Sequence, residues 1–253
     1  MNYKIDRTTF SCGTNSIIKS VNITDESKII IVDDFYDNPD KVRDLCFNVP
    51  LFKANWNPMI SLFRSYRNKS DFGKYWDTYV YSYSKWLLEQ HFNHSIGYDN
   101  TDGGDRFSLF SFNGKDYKSG GMIAPPHQDS VDLTMTIKQF ASVIYLNTDD
   151  ECKGGTGFYK HKETDIQNTQ DLIDYTDGTW DSVKLVLDKF VRETNEKCVE
   201  WISDTDEVWE LLYLAEMKYN RAIFYSGDNF HSPYIKKGWF EDYNRITQPL
   251  FLQ

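Results

Sequence analysis

The sequence predicts a mainly β domain with helical additions: an antiparallel barrel or double-sheet jelly roll, preceded by helices and interrupted by a helical insertion. Three observations predict it. From about residue 100 onward, short apolar runs alternate with Gly, Pro, Asn or Asp clusters and show no βαβ rhythm. Two earlier stretches carry helix signals. A polar segment, roughly Glu163 to Asp206, holds Val183, Leu187, Phe190 and Val191 at helical spacing in its middle. With 253 residues, 40 % of them hydrophobic, the chain can bury one sizeable core, so 1–253 is read as one domain whose β core spans about 100–253.

Lys28 to Phe35 opens the fold as an apolar strand centred on Ile29-Ile-Ile-Val32. Asn38-Pro39-Asp40 then supplies a cap residue and a proline suited to a first helical turn, predicting a helix to about Phe47. After Pro50 and Pro58 the chain reads as irregular. Asp71 to about Asn93 has the length and spacing of a long helix, with Tyr75, Tyr79, Trp86 and Leu87 as candidate buried positions. Asn100-Thr-Asp-Gly-Gly104 breaks it. Strands are then expected at Arg106–Phe112, Met122–Asp129, Phe140–Asn147, Gly157–His161, Trp209–Tyr219, Ala222–Ser226 and Arg245–Leu252. The 163–206 insertion would form a lid, protect a sheet edge or support dimerisation.

Composition narrows the function. Acidic residues outnumber Lys and Arg by 38 to 28, a formal charge of −10, with no basic strip to offset it, so nucleic acid is disfavoured as a partner. Met1-Asn-Tyr-Lys-Ile-Asp6 has no apolar leader, and no run of about eighteen apolar residues occurs, predicting a cytoplasmic protein without a membrane span. Cys12, Cys46, Cys152 and Cys198 lack C-x-x-C spacing and are read as reduced thiols.

The chemistry sits in His127-Gln128-Asp129, with His231 far downstream and Arg245 fourteen residues beyond that. On a strand, i and i+2 share a face, so His127 and Asp129 can point inward while Gln128 points away. Two imidazoles and one carboxylate on one side of a metal leave the opposite positions open, the arrangement of non-haem Fe(II) oxygenases. The other histidines are weaker candidates. His91 and His94 lie at the end of the predicted helix, where the dipole favours an imidazolium, and His161 has no acidic neighbour at strand spacing except Glu163.

Tyr145-Leu146-Asn147 followed by Gly154-Gly155-Thr156-Gly157-Phe158 resembles the corresponding region of prolyl-hydroxylase-like Fe(II)/2-oxoglutarate-dependent oxygenases. His127-x-Asp129 lies just before it, where that family has two ligands. Ala222-Ile-Phe-Tyr225 to His231-Ser-Pro233 resembles its apolar strand and distal histidine, and Arg245-Ile-Thr247 its last strand. The likeness runs from about Lys28 to Leu252. It departs at Phe112, where many relatives carry a tyrosine that touches 2-oxoglutarate, and at the long insertion.

The resemblance implies a double-stranded β-helix (jelly-roll, cupin-like) core and a dioxygenase that uses O2. His127, Asp129 and His231 would bind Fe(II), and the far carboxylate of 2-oxoglutarate would meet Arg245 and Thr247. The implied reaction hydroxylates a peptide side chain or small molecule and releases succinate and CO2. Relatives that halogenate carry a small residue at the position of Asp129, so a carboxylate there favours hydroxylation. Two other readings stay open: a cupin-like metal- or ligand-binding module without oxygenase activity, and a metal-dependent hydrolase.

Overall fold

The computed structural model describes residues 6, 8–48, 52–53, 64–68, 77–97, 107–112, 125–136, 138–197 and 204–253. The strands among them are β1 (Ile17–Asn22), β2 (Lys28–Asp33), β3 (Phe52–Lys53), β4 (Arg64–Asn68), β5 (Phe107–Phe112), β6 (Phe140–Tyr145), β7 (Gly155–His161), β8 (Trp209–Glu216), β9 (Ala222–Ser226), β10 (His231–Tyr234) and β11 (Arg245–Leu252). The helices are α1 (Pro39–Asn48), α2 (Ser82–Phe92, entered through a π-turn at Asp77–Tyr81), α3 (Thr169–Tyr175) and α4 (Trp180–Lys197).

These strands form two open antiparallel sheets rather than a closed barrel. The larger runs β1-β2-β9-β6-β11-β5-β4-β3 and the smaller β10-β7-β8. Strand alternation sorts the side chains into layers. On β2, Ile30 and Val32 join Phe224 of β9, Leu250 of β11, Val42 of α1 and Leu87 of α2 in a core between the larger sheet and the helices. Ile29 and Ile31 point the other way, toward Tyr145 of β6, Phe158 of β7 and Ala215 of β8, in a core between the two sheets. β2 is therefore covered on both faces, which is why it reads as an unbroken run of β-branched residues.

The 163–206 insertion holds α3 and α4, and they cover the outer face of the smaller sheet. Val183 and Phe190 of α4 pack with Leu172 of α3, Tyr159 of β7 and Trp209 of β8. Val191, expected on the buried stripe, is 42 % exposed, and so is Trp86 of α2 at 48 %. Neighbouring positions, Phe190 and Leu87, carry the burial instead.

Other expectations need correction. The stretch read as irregular after Pro50 contains β3 and β4, which extend the larger sheet beyond β5. β1 and β10 were not expected as strands. β1 lacks the clean apolar run of its partner β2, and β10 contains Pro233, which sheets tolerate at an edge. The strand expected at Met122–Asp129 is reduced to an isolated bridge between His127 and His231, its first residues lying outside those described. Tyr75 and Cys198 also lie outside them. Among the described residues Cys12 and Cys152 are free thiols, and no helix is long and apolar enough to cross a membrane.

Candidate metal centre

His231 opens β10, whose other edge pairs with β7. His127 and His231 exchange both backbone hydrogen bonds, with the His127 amide donating to the His231 carbonyl at 3.0 Å and the reverse bond at 2.9 Å. The Asp129 amide donates to the Gly227 carbonyl at 2.8 Å, tying the third residue to the turn before β10. Gln128 points away as strand alternation demands. Its Nε2 donates to the Asp228 carbonyl and, at 3.2 Å, to Thr169 Oγ1 at the start of α3.

The side chains of His127, Asp129 and His231 converge, each offering a ligand atom within 4.8 Å of the other two. His231 Nε2 lies 3.2 Å and His127 Nε2 3.9 Å from the Asp129 carboxylate. Ligands about 2.1 Å from one ion and at right angles sit about 3.0 Å apart, so the set is close to a chelating arrangement. The opposite ring nitrogens are also fixed: His127 Nδ1 is 2.9 Å from the Pro125 carbonyl and His231 Nδ1 is 2.9 Å from the Asn229 carbonyl. A carbonyl only accepts, so each Nδ1 carries a proton, and each Nε2 faces Asp129, where giving up its own proton would free a lone pair for an ion. The residues therefore could hold a metal ion.

Electrostatics follow from the packing. Desolvation opposes the Asp129 charge, but attraction to His231 and His127 prevails and holds its carboxyl below the usual range. Desolvation likewise opposes charge on His231, which Asp129 outweighs, raising its pKa. His127 is lowered by desolvation and by repulsion from His231. Its side chain is 43 % exposed against 6 % for His231, so His127 forms the open edge of the group.

Arg245 and Thr247, both buried, lie on the face of β11 opposite Ile246 and Leu250, hence toward the smaller sheet. Arg245 crosses that space: Nη2 donates to the Gly155 carbonyl of β7 at 3.2 Å, and the guanidinium lies 5.7 Å from the Tyr145 ring. Its buried Nε has no hydrogen-bond partner, and no carboxylate among the described residues pairs with it. Burial lowers its pKa from the ordinary arginine value. Gly155 also permits the close approach of β8, for a Cβ there would sit 2.0 Å from the Ala215 carbonyl oxygen.

The pattern of DUF6445, a family of unknown function, matches residues 14–242. The chain belongs to this family. No curated protein matches its sequence. The matched stretch includes His127, Asp129 and His231 and ends just before β11, where Arg245 and Thr247 lie.

Two tyrosines that sequence reasoning did not assign to the site border it in this DUF6445 chain. Tyr145 lies under the Arg245 guanidinium, its hydroxyl 2.8 Å from Thr156 Oγ1. Tyr225 of β9 stands edge-on to His231 with ring centroids 4.7 Å apart. Burial, and secondarily the charge of Asp129, raises its phenol well above the ordinary value. The available signal was parity: Tyr225 lies two residues from Ile223 on the face turned to the smaller sheet. Among the other histidines, His161 proves to be structural. It is buried in the insertion core, with Nε2 3.1 Å from Glu193 of α4 and its ring stacked on Phe190 at 3.9 Å. Asn147 is structural too, accepting from the Ile246 amide at 2.7 Å.

Proposed function

We propose that this protein is an Fe(II)- and 2-oxoglutarate-dependent dioxygenase that hydroxylates a peptide side chain or small molecule. The observation that carries the reading is a pairing. A group of two imidazoles and a carboxylate able to hold a metal lies between the same two sheets as a buried guanidinium with no carboxylate partner among the described residues. A buried, uncompensated cation is costly. A keto-diacid that chelates the ion at one end and presents a carboxylate at the other would supply the missing anion.

The strand path supports a double-stranded β-helix as the finer description of the core. From β5 the chain passes to the His127 bridge beside β10, then to β6, to β7 and β8, to β9, to β10 and to β11. It thus crosses repeatedly between the larger and smaller sheets, as an eight-strand jelly roll requires.

His127, Asp129 and His231 would hold Fe(II), their two Nε2 lone pairs and one carboxylate leaving its remaining positions to co-substrate. When bound, Fe(II) and 2-oxoglutarate supply oxidation by O2, with one oxygen atom going to the substrate C–H bond and the other to succinate as CO2 leaves. The chain's own contribution is orientation. The Pro125 and Asn229 carbonyls keep the imidazole tautomers fixed, and Arg245 with Thr247 would anchor the far carboxylate by charge-assisted hydrogen bonds. The aliphatic and aromatic walls between the sheets exclude water and strengthen those bonds. Asp129 fills the position that halogenation would need open, which favours hydroxylation.

Anaerobic addition of Fe(II) and 2-oxoglutarate tests the reading through the weak visible charge-transfer band of the chelate, followed by succinate measurement on admitting oxygen. Both signals are expected. Absence of both would remove the assignment.

A further inference from the structure

Tyr225 differs from the other deeply buried tyrosines in what its hydroxyl does. Tyr36 donates to Gln248 at 2.6 Å, and the Tyr145 hydroxyl lies 2.8 Å from Thr156 Oγ1. The Tyr159 hydroxyl is engaged by Ser232. The Tyr225 side chain is only 2 % exposed; its hydroxyl bonds to no described residue and is not one of the fully enclosed polar atoms, so it borders open space. Phenylalanine would fill the same volume, and the chain uses it next door at Phe224.

The ring is held on two sides. It stands edge-on to His231 at 4.7 Å and to Phe158 at 5.1 Å, so the direction of its Cζ–O bond is set by packing. Contact with the His231 ring places the phenol beside the triad. Its register partner on β6 is Ala141, the smallest side chain facing the smaller sheet from that strand. A phenol at neutral pH is a donor, and the unfilled need here is for an oxygen acceptor.

Building on the oxygenase reading, we propose that Tyr225 donates a hydrogen bond to the metal-side carboxylate of a bound 2-oxo acid. The co-substrate is then held at three points: the ion on His127, Asp129 and His231, the phenol of Tyr225, and the guanidinium of Arg245. This assigns the metal-side carboxylate a protein donor of its own, on a strand different from those that carry the triad and Arg245.

The test uses the full chain loaded with Mn(II) and titrated calorimetrically with 2-oxoglutarate and with oxalate, which has a metal-side carboxylate and no distant one. Tyr225→Phe keeps the ring and removes the donor. It should weaken both ligands by roughly ten- to a hundredfold, the range for a hydrogen bond to a charged group. Its melting temperature and its Mn(II) stoichiometry should match wild type. Arg245→Met, in contrast, should lose affinity for 2-oxoglutarate and keep it for oxalate. Wild-type affinity of Tyr225→Phe for oxalate overturns the proposal and leaves the oxygenase reading standing. A loss confined to 2-oxoglutarate overturns it as well, by moving the phenol to the far end of the ligand. A loss of Mn(II) overturns it by making Tyr225 a support for His231. Failure of wild type to bind 2-oxoglutarate overturns the oxygenase reading itself, and the proposal with it.

Discussion

Replacing Arg245 with methionine separates a ligand-binding arginine from a structural one, because only the structural role predicts a large loss of stability. Methionine has a similar length, no charge and enough flexibility to fill the space. In the ligand-free protein the substitution removes one hydrogen bond, to the Gly155 carbonyl, worth about 1 kcal/mol. It also removes the contact with the Tyr145 ring at 5.7 Å, worth about 1 kcal/mol. Against these losses it relieves the unsatisfied buried Nε, a gain of about 1–3 kcal/mol. The terms nearly cancel, so Arg245→Met should unfold within about 1 kcal/mol of wild type, as buried charges often do when replaced by apolar residues.

Ligand binding should respond very differently. Two charge-assisted hydrogen bonds to a carboxylate, at about 1.5–3 kcal/mol each, correspond to roughly a hundredfold loss of 2-oxoglutarate affinity or more. The assay is urea unfolding of the Mn(II)-loaded protein with and without 2-oxoglutarate. A ligand at a hundred times its Kd stabilises wild type by about 2.7 kcal/mol, and that increment should fall to about 0.4 kcal/mol or less in the variant. If ligand-free Arg245→Met instead loses about 3 kcal/mol or more, the guanidinium is holding the sheets together and the reasoning fails.

Three further outcomes are expected. Asp129→Ala should abolish both the charge-transfer band and succinate formation while leaving the circular dichroism unchanged; a retained band would show that the carboxylate is not a ligand. Gly154→Ala should destabilise by about 3 kcal/mol or more, since φ is +71° and the new Cβ would sit 2.0 Å from the Tyr234 carbonyl oxygen; a melting temperature within a degree of wild type would contradict this. Burial lowers the His161 pKa despite Glu193, so the unfolded chain binds the extra proton and stability falls as pH drops below about 6.5. His161→Gln should flatten that part of the stability–pH curve, and an unchanged slope would mean that other groups set it.

The parts of the site legible in the sequence were those fixed by short-range spacing. His127 and Asp129 share a face because a strand has a two-residue period, and Arg245 and Thr247 do so for the same reason. The helical insertion announced itself through the spacing of Val183, Leu187 and Phe190. What spacing does not encode is which faces meet. Glu193 reaches His161 from a helix 32 residues away in sequence, a contact set by α4 docking on the smaller sheet. Tyr225 and Tyr145 look like any buried aromatic residue until the two sheets are brought face to face. β10 escaped notice because a four-residue strand containing proline carries little propensity of its own and is defined by its pairing with β7.

The reciprocal backbone bonds between His127 and His231 mean that the peptide ladder, rather than the ion, sets the spacing of the two imidazoles. Slipping that pairing by one residue would turn an imidazole to the opposite face, so the register is already selected when the sheet forms. The centre should therefore behave as a preassembled socket: a chelator can strip it and a different divalent ion can refill it, with the surrounding architecture intact throughout. Small zinc domains, which collapse when their ion is withdrawn, represent the opposite case.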